Sequence, residues 1–278
     1  KGFWMGKFEL SNENQSNDNS TLLTPRILPN VQSWRGNTTY NYWKVIYDMQ
    51  KSSNIYGLPT SRTHIDSHMT TNMEWGAVAY LTNSKYGRCT NESCTNVSKN
   101  GYGNEDLSSS ITGCGPLSNN SSSYDEICNA YNTELGNLAS TTGNVYGIYD
   151  MSGGVREAVM GKMSSDTSAN FTFGNSSNGF DSTWYTSSTS KYITPYAYGT
   201  TSTDQAAYYR GRLGDATGET AISLGGMTWY STYLQLPTSG SPWIYRGGYS
   251  NEYSGIFHCS NSGDSFGKTT RAVISVVL

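Results

Sequence analysis

The pattern of apolar and polar residues predicts two helices and a series of short strands. Alternating apolar positions over residues 3–10 predict an opening strand. Apolar residues recur with the helical period over residues 38–51, which predicts an amphipathic helix. A second helix is predicted to begin after Thr71, because Thr71 and Glu74 have the spacing of a capping box, and to end near residues 83–87.

Later segments are predicted to contribute strands to the core. Residues 144–161 combine closely spaced apolar residues with glycines, so we expect this segment to be buried. The remaining segments with strand character are residues 226–236, 243–249, 255–259 and 271–278. The last of these ends in VISVVL, which we interpret as a buried strand.

Two long segments, near residues 87–139 and 164–203, are poor in core residues and are interpreted as loop insertions. Within the first insertion, a short helix is predicted around residues 125–133. No change of composition marks a linker between domains. The chain is therefore predicted to form one domain over residues 1–278.

The composition is polar but carries little charge. Serine, threonine and asparagine together account for 96 of the 278 residues, while charged residues account for 14%, against about 25% in an ordinary soluble domain. A net charge of −3 without a basic stripe argues against a nucleic-acid partner. No apolar run approaches the ~20 residues of a membrane helix, so we expect no membrane segment. Because the chain begins at Lys1, we expect a processed or truncated piece.

Four of the five cysteines bracket polar loops. The simplest pairing joins Cys89 to Cys94 and Cys114 to Cys128, although four cysteines allow three pairings. A zinc site is the alternative, but CxxC spacing and a nearby histidine are both missing. Disulfides favour an extracellular or cell-surface location. The fifth cysteine, Cys259, is expected to be a small buried side chain.

Four motifs carry a resemblance to a known fold family. In chain order they read GFWMGKFELS, TNMEWGAVAYLTNSKYG, NVYGIYDMSGGVREAV and WIYRGGYSNEYSGIF with TTRAVISVVL. Over nearly its whole length the chain resembles the formylglycine-generating-enzyme type of C-type lectin fold. The resemblance implies an α+β fold with small twisted antiparallel sheets, two main helices and long irregular loops.

The catalytic residues of this family are not matched. Its enzymes bind copper through two cysteines near the C-terminal motif, and only Cys259 lies there. Some relatives use an iron site, for which His64 and His68 have the i, i+4 spacing of one helix face. Their segment is interpreted as a loop, and a pair of surface histidines is favoured. We expect no catalytic residues and no cofactor.

A structural calcium ion is left open. The family often binds calcium beside a G-N-V-x-E element, in which this chain has Gly154 in place of asparagine but keeps Glu157. A second, less specific candidate is the pair Asp215 and Glu219. The metal ligands are therefore not assigned from the sequence.

A non-catalytic branch of the same fold comprises the variable proteins of diversity-generating retroelements. This chain resembles them in its C-terminal motifs, in which Arg246 and Arg271 would be fixed structural positions. We expect one or both arginines to hold loops through charge-assisted hydrogen bonds. The resemblance implies a ligand-binding face at the scattered positions between them: Tyr249, Ser250, Asn251, Glu252, Tyr253, His258, Ser260, Asn261, Asp264, Ser265, Phe266 and Lys268.

The side chains in this stretch suit contact with a ligand. Tyrosine and phenylalanine supply area at low entropic cost, while serine and asparagine supply adaptable hydrogen bonds. Strand alternation places Phe257 and Cys259 toward the core and His258 and Ser260 toward the outside. The competing interpretation is a solvated loop with no binding role.

The sequence therefore predicts an extracellular, non-enzymatic ligand-binding domain, similar to an adhesin or receptor. Its partner would be a surface protein or a glycan. Resemblance to pilin-linked bacterial surface proteins implies the displayed head of a filament or surface anchor. Two alternatives stay open, namely a metal-dependent oxidase of the parent enzyme class and a structural filament subunit.

Overall fold

A computed structural model describes residues 2–12, 24–87, 111–115, 129–164, 179–196, 213–223, 227–228, 233–238, 240–248, 255–262 and 269–276. These residues contain two α-helices, α1 Thr39–Tyr47 and α2 Asn72–Thr82. The strands are β1 Gly2–Met5, β2 Ser11–Asn12, β3 Pro25–Arg26, β4 Ile65–Met69, β5 Cys114–Gly115, β6 Asn129–Ala130, β7 Glu157–Met163, β8 Thr194–Tyr196, β9 Ala221–Ser223, β10 Met227–Thr228, β11 Trp243–Arg246, β12 Cys259–Ser262 and β13 Ala272–Val276.

Both predicted helices are confirmed, and each begins at a threonine cap. The Thr38 hydroxyl accepts a hydrogen bond from the Asn41 amide at 3.2 Å, and a 3-10 turn, Asp48–Gln50, follows α1. The capping box of α2 is complete. The Glu74 amide donates to Thr71 Oγ1 at 3.2 Å, and the Thr71 amide donates to Glu74 Oε2 at 2.9 Å.

A three-stranded antiparallel sheet has the order β1-β13-β4. The opening strand is shorter than predicted, because the pairing with β13 ends after the Gly6 amide donates to the Ala272 carbonyl at 2.8 Å. The C-terminal strand is confirmed over Ala272–Val276, but within VISVVL only Val273 is buried, residues 274–276 are half-buried, and residues 277–278 lie outside the described ranges. Residues 274–276 lie beside edge strand β1, in which Trp4 is 66% exposed.

A four-stranded sheet has the order β12-β11-β7-β8. Strand β8 runs parallel to β7, while the other two pairings are antiparallel. All seven residues of β7 are buried, so this strand forms the centre of the molecule. The sheet confirms strand structure in the predicted segment 243–249, over Trp243–Arg246.

Four other predictions need correction. The segment 255–259 is a turn up to residue 258, and its strand, β12, begins only at Cys259. The segment 125–133 is not helical in its described part, where Asn129–Ala130 pairs with β5. Of segment 226–236, the described strand is short, Met227–Thr228, and Leu234 forms an isolated bridge to Cys259. The predicted loop around the two histidines is strand β4 from Ile65 onward.

The core has two main parts, one on each side of β7. One part packs α1 against β4, β7 and β11, and contains Trp34, Tyr42, Ile46, Met69, Met160 and Trp243. The other packs α2 against the C-terminal strands, and contains Trp75, Val159, Ile244, Phe257 and Cys259. As predicted, segment 144–161 supplies buried core residues, although Tyr146 within it is 88% exposed. The architecture is thus α+β, with two helices and small sheets.

Two cysteines fall within the described residues. Cys114 is buried and disulfide-bonded, whereas Cys259 is free and buried. Because Cys89, Cys94 and Cys128 lie outside the described residues, the proposed pairing stays a prediction. No helix in the described ranges is long and apolar enough to cross a membrane.

Candidate functional site

The predicted binding face is described only in part. Three of its twelve residues, His258, Ser260 and Asn261, lie in the described ranges. The other nine lie outside them: Tyr249, Ser250, Asn251, Glu252, Tyr253, Asp264, Ser265, Phe266 and Lys268. The chain on either side of these nine is described, and it belongs to β11, β12 and β13 and their immediate flanks. We call these three strands, with Arg246, Arg271 and Glu157, the C-terminal frame.

The expectation that His258 and Ser260 face outward is wrong. Their exposed fractions are 2% and 3%, and Phe257 and Cys259 are fully buried as expected. The physical reason is a further stretch of chain that lies against β12. The Cys259 amide donates to the Tyr233 carbonyl at 3.0 Å, and the His258 ring packs on the Tyr233 ring at 5.7 Å between centroids.

Asn261 is the third described member of the predicted face, and it is half-buried. Its side-chain amide donates to the carbonyl of Leu236, in the same covering stretch. The described residues of β12 are therefore engaged in the fold. A contact surface for a ligand would have to come from the nine residues outside the described ranges.

A single carbonyl ties together the chain on both sides of residues 249–254. The Gly247 oxygen accepts hydrogen bonds from the Gly255 amide at 3.1 Å and from the Gly153 amide at 3.0 Å. Gly247 has a positive φ of 83°, which favours glycine, and a Cβ there would lie 3.4 Å from the Met151 oxygen. The start and end of this segment are thus held at one point of the core.

Arg271 and Glu157 form a fully buried ion pair. The guanidinium donates to both carboxylate oxygens of Glu157, with Nε 3.0 Å from Oε2. It also donates to the carbonyls of Gly6 and Tyr149, each at 2.8 Å. Burial raises the pKa of Glu157 to about 7, although the charge of Arg271 lowers it. The pair connects β13 to β7 and to the segment after β1.

Thr269, the residue that follows segment 263–268, is held against the beginning of β7. Thr269 forms a bridge with Glu157, in which its amide donates to the Arg156 carbonyl at 3.0 Å. Its own carbonyl accepts from the Ala158 amide at 2.8 Å. Both undescribed segments of the predicted face therefore adjoin residues that are anchored in the core.

Arg246 is also fully buried, but it is less well paired. Its Nη2 donates to the Ala216 carbonyl at 2.9 Å, and its guanidinium lies 5.9 Å from the centre of the Trp75 ring. Nε and Nη1 have no hydrogen-bond partner within the described part of the chain. Burial raises the pKa of the neighbouring Cys259 thiol, although the charge of Arg246 lowers it.

The loop beside Arg246 contains the two acidic residues considered for calcium. Asp215 accepts from the hydroxyl of Tyr196 and from the Thr217 amide, the latter at 3.0 Å. Glu219 Oε1 accepts from the Tyr80 hydroxyl at 2.8 Å, and from the amides of residues 214 and 216. These carboxylates accept hydrogen bonds from protein donors, and no group of three metal-ligating side chains occurs in the described ranges.

The histidine pair is separated by the fold. His64 is exposed, whereas His68 lies in β4, is 4% exposed and has its Nε2 2.9 Å from Glu74 Oε1. The prediction of two surface histidines is therefore wrong for His68. Burial lowers the pKa of His68, but the hydrogen bond to Glu74, the charge of Glu74 and the contacts with Asp66 together outweigh burial, so the net shift of the pKa is upward.

Sequence analysis missed Glu9, which is 1% exposed and close to Asp150 and Glu157. The only signal was a charged residue between two apolar ones, Phe8 and Leu10. Within a predicted strand, that pattern indicates an outward-facing side chain. It did not reveal a buried carboxyl group.

Comparison with known proteins does not assign a function. No model of a known protein family matches this chain, and no curated protein matches it.

Proposed function

We propose that this chain is an extracellular, non-enzymatic ligand-binding domain of the C-type lectin fold found in formylglycine-generating enzymes. Its ligand is a surface protein or glycan, contacted by residues 249–253 and 264–268. One observation carries the proposal. The chain that flanks both segments is anchored at three buried residues, Gly247, Arg271 and Thr269.

A rigid base reduces the entropic cost of binding. Association costs free energy for every side chain and loop that must be ordered, so anchoring the ends of a contact segment favours affinity. The segments themselves contain Tyr249, Tyr253 and Phe266 among small polar residues. This mixture of rigid aromatic and adaptable polar side chains is typical of recognition loops.

The state of Cys259 does not suit a nucleophile. A thiol that attacks a substrate acts as a thiolate. The thiol of Cys259 is fully buried and its pKa is raised, which favours the neutral form. These properties support contact by other side chains over covalent catalysis by this thiol.

The proposed location and display follow from the sequence resemblance. A paired cysteine such as Cys114 fits an oxidising compartment outside the cell. In the bacterial surface proteins that the chain resembles, such a domain is the head of a pilin-like filament or anchor. The same role is proposed here, together with diversification of the C-terminal stretch.

A binding assay on defined surfaces tests the site. The labelled chain is applied to an array of glycans and to immobilised bacterial cell-wall polymer. We expect saturable binding that is lost in the variant Tyr249→Ala/Tyr253→Ala/Phe266→Ala. The matched control is Tyr86→Ala/Tyr146→Ala, which removes two tyrosines that are 72% and 88% exposed elsewhere. Equal binding by both variants, or an unfolded triple variant, would contradict the assignment.

The coding DNA tests the diversification. We expect a nearby reverse-transcriptase gene and a near-copy of the 3′ coding end that differs mainly at adenines. A library experiment gives an independent measure. Randomising positions 249–253 and 264–268 should leave most displayed variants folded, whereas randomising 244–248 should not. Equal loss of folding in both libraries would place the first set of residues in the core.

A further inference from the structure

A small cavity of about 140 Å³ lies at the C-terminal end of α1. Its described lining residues come from β3 and the residue before it, from the end of α1 and the turn that follows, and from the loop of residues 51–56. None of them belongs to the C-terminal frame, so the cavity is separate from the proposed binding face. A cavity of this size holds an apolar body of about six non-hydrogen atoms, such as benzene.

The buried part of the lining is apolar. Val45 and Met49 are 2% and 5% exposed, and Pro25 is also buried. Ile55 is 59% exposed and therefore lies at the opening. An aliphatic group that enters this cavity would exchange contact with water for contact with apolar side chains, which favours binding.

The loop that forms one wall is held in place by hydrogen bonds. The Asn54 side chain accepts the amides of Tyr56 and Leu58, each at 3.1 Å. It also donates to the carbonyls of Lys51, at 3.0 Å, and Leu58, at 2.8 Å. The Tyr56 hydroxyl donates to the Pro25 carbonyl at 2.7 Å, which fixes the loop to β3. A wall that is already ordered lowers the entropic cost of binding a ligand.

Two opposite charges line the same cavity. The Lys51 amide donates to the Asp48 carbonyl at 3.0 Å, and side chains three residues apart in such a 3-10 turn lie above one another. Lys51 is exposed and forms no ion pair with a described residue. Asp48 pairs with Lys44 through Oδ2 at 2.5 Å, while its Oδ1 accepts no hydrogen bond within the described ranges. One carboxylate oxygen and one ammonium group are thus open to a ligand.

We propose that this cavity binds a free α-amino acid with a small aliphatic side chain, such as leucine. The side chain fills the apolar interior, and the α-carboxylate lies beside Lys51. The α-ammonium lies beside Asp48, where the partial negative charge at the end of α1 also favours a cation. A fatty acid or an alkyl amine would match only one of the two charges, and a neutral sugar would match neither.

Titration of the full chain with L-leucine tests the proposal, with calorimetry to measure affinity and amide NMR shifts to locate the site. We expect saturable binding with a dissociation constant of about 1 mM or tighter, and shifts concentrated in residues 45–56. Isocaproate and isoamylamine each lack one charge of leucine, so each should bind about two- to fivefold more weakly, the range of a partly exposed ion pair. Absence of leucine binding at about 20 mM, equal binding of either analogue, or tighter binding of methyl glucoside would overturn the proposal.

Two neighbouring lysines provide a variant and its matched control. Lys51→Ala removes the ammonium that lines the cavity and should weaken leucine binding about two- to fivefold. Lys44→Ala removes an equal charge one turn earlier and frees Asp48 Oδ2, so it should leave binding unchanged or make it tighter. Both lysines lie at the surface, and thermal unfolding checks that both variants fold. Equal weakening by the two variants would mean that leucine responds to overall charge, and the assigned site would be wrong.

Discussion

The two buried arginines of the C-terminal frame are held very differently. Arg271 donates to a carboxylate and to two carbonyls, so its charge and its donors are matched. Arg246 donates to the carbonyl of Ala216 and to the Cys259 thiol, and two of its nitrogens, Nε and Nη1, have no hydrogen-bond partner in the described ranges. Both side chains are fully buried. Burial alone therefore does not reveal which arginine holds the fold together.

The difference suggests a division of roles. Arg271 links β13 to β7 and to the segment after β1, which are distant in sequence. Arg246 lies against Trp75 of α2 and the loop that contains Asp215, where it offsets the charge of that carboxylate. We interpret Arg271 as the main electrostatic link of the frame and Arg246 as support for one loop.

The largest effect is expected from breaking the Arg271–Glu157 pair. Arg271→Ala should lower the free energy of unfolding by about 3–5 kcal/mol, because it leaves the Glu157 carboxyl buried and unpaired. Chemical denaturation measures the loss. The double variant Arg271→Met/Glu157→Leu should be clearly less destabilised than the single variant. If the double variant is worse, packing around Arg271 matters more than its charge.

A smaller effect is expected at the second arginine. Arg246→Met removes a hydrogen bond to the Ala216 carbonyl and a weak one to the Cys259 thiol, but it also removes two unmatched donors, so we expect a loss of about 1–2 kcal/mol. The same denaturation assay measures it. A loss as large as that of Arg271→Ala would mean that the two arginines are equivalent, and the comparison would fail.

A pH-dependent contribution is expected from His68, whose pKa is raised in the folded state. Protonated His68 paired with Glu74 stabilises fully below the unfolded value of 6.5. This contribution is lost as the pH rises through the folded pKa, with a slope of at most about 1.4 kcal/mol per pH unit. His68→Phe should flatten that part of the stability profile. An unchanged profile would show that the pair is neutral throughout.

The smallest effect is expected at a partly exposed pair at the C-terminal end of α1. Lys44 and Asp48 form an i, i+4 ion pair at 2.5 Å with side chains 39% and 29% exposed. Lys44→Ala should lower the free energy of unfolding by only about 0.3–0.5 kcal/mol, and less at high salt. If the loss did not depend on salt and were as large as that of Arg246→Met, the exposure of an ion pair would not predict its contribution to stability in this protein.

Local signals in the sequence predicted local structure well. The helix after Thr71 was predicted because its cap depends on residues three apart, and that geometry forms as expected. The two arginines of the C-terminal motifs were also found, because the motifs are contiguous. Glu157 was singled out only as a possible calcium ligand, and nothing in the sequence indicated that it pairs with Arg271, 114 residues away. Ala216, 30 residues from Arg246, carried no signal.

The wrong predictions of side-chain exposure concern residues that are buried by segments distant in sequence. Strand alternation assigns outward faces to His258 and Ser260 on the assumption that one side of β12 meets solvent. The stretch from Tyr233 to Leu236 pairs with the edge of that strand instead, and the Tyr233 ring packs on the His258 ring, so this side does not meet solvent. Glu9 was missed for the same reason. A charged residue between apolar neighbours is expected on a surface, and only the tertiary fold encloses it.

The Gly247 carbonyl has an evolutionary consequence. It accepts the Gly255 amide, so the chain on either side of residues 249–254 is closed by a hydrogen bond that does not involve the segment itself. Extending a loop whose ends are already joined costs little, since each doubling of its length adds only about 0.6 kcal/mol of closure entropy. We therefore expect that the segment 249–254 can change in length as well as in sequence while the surrounding fold stays unchanged.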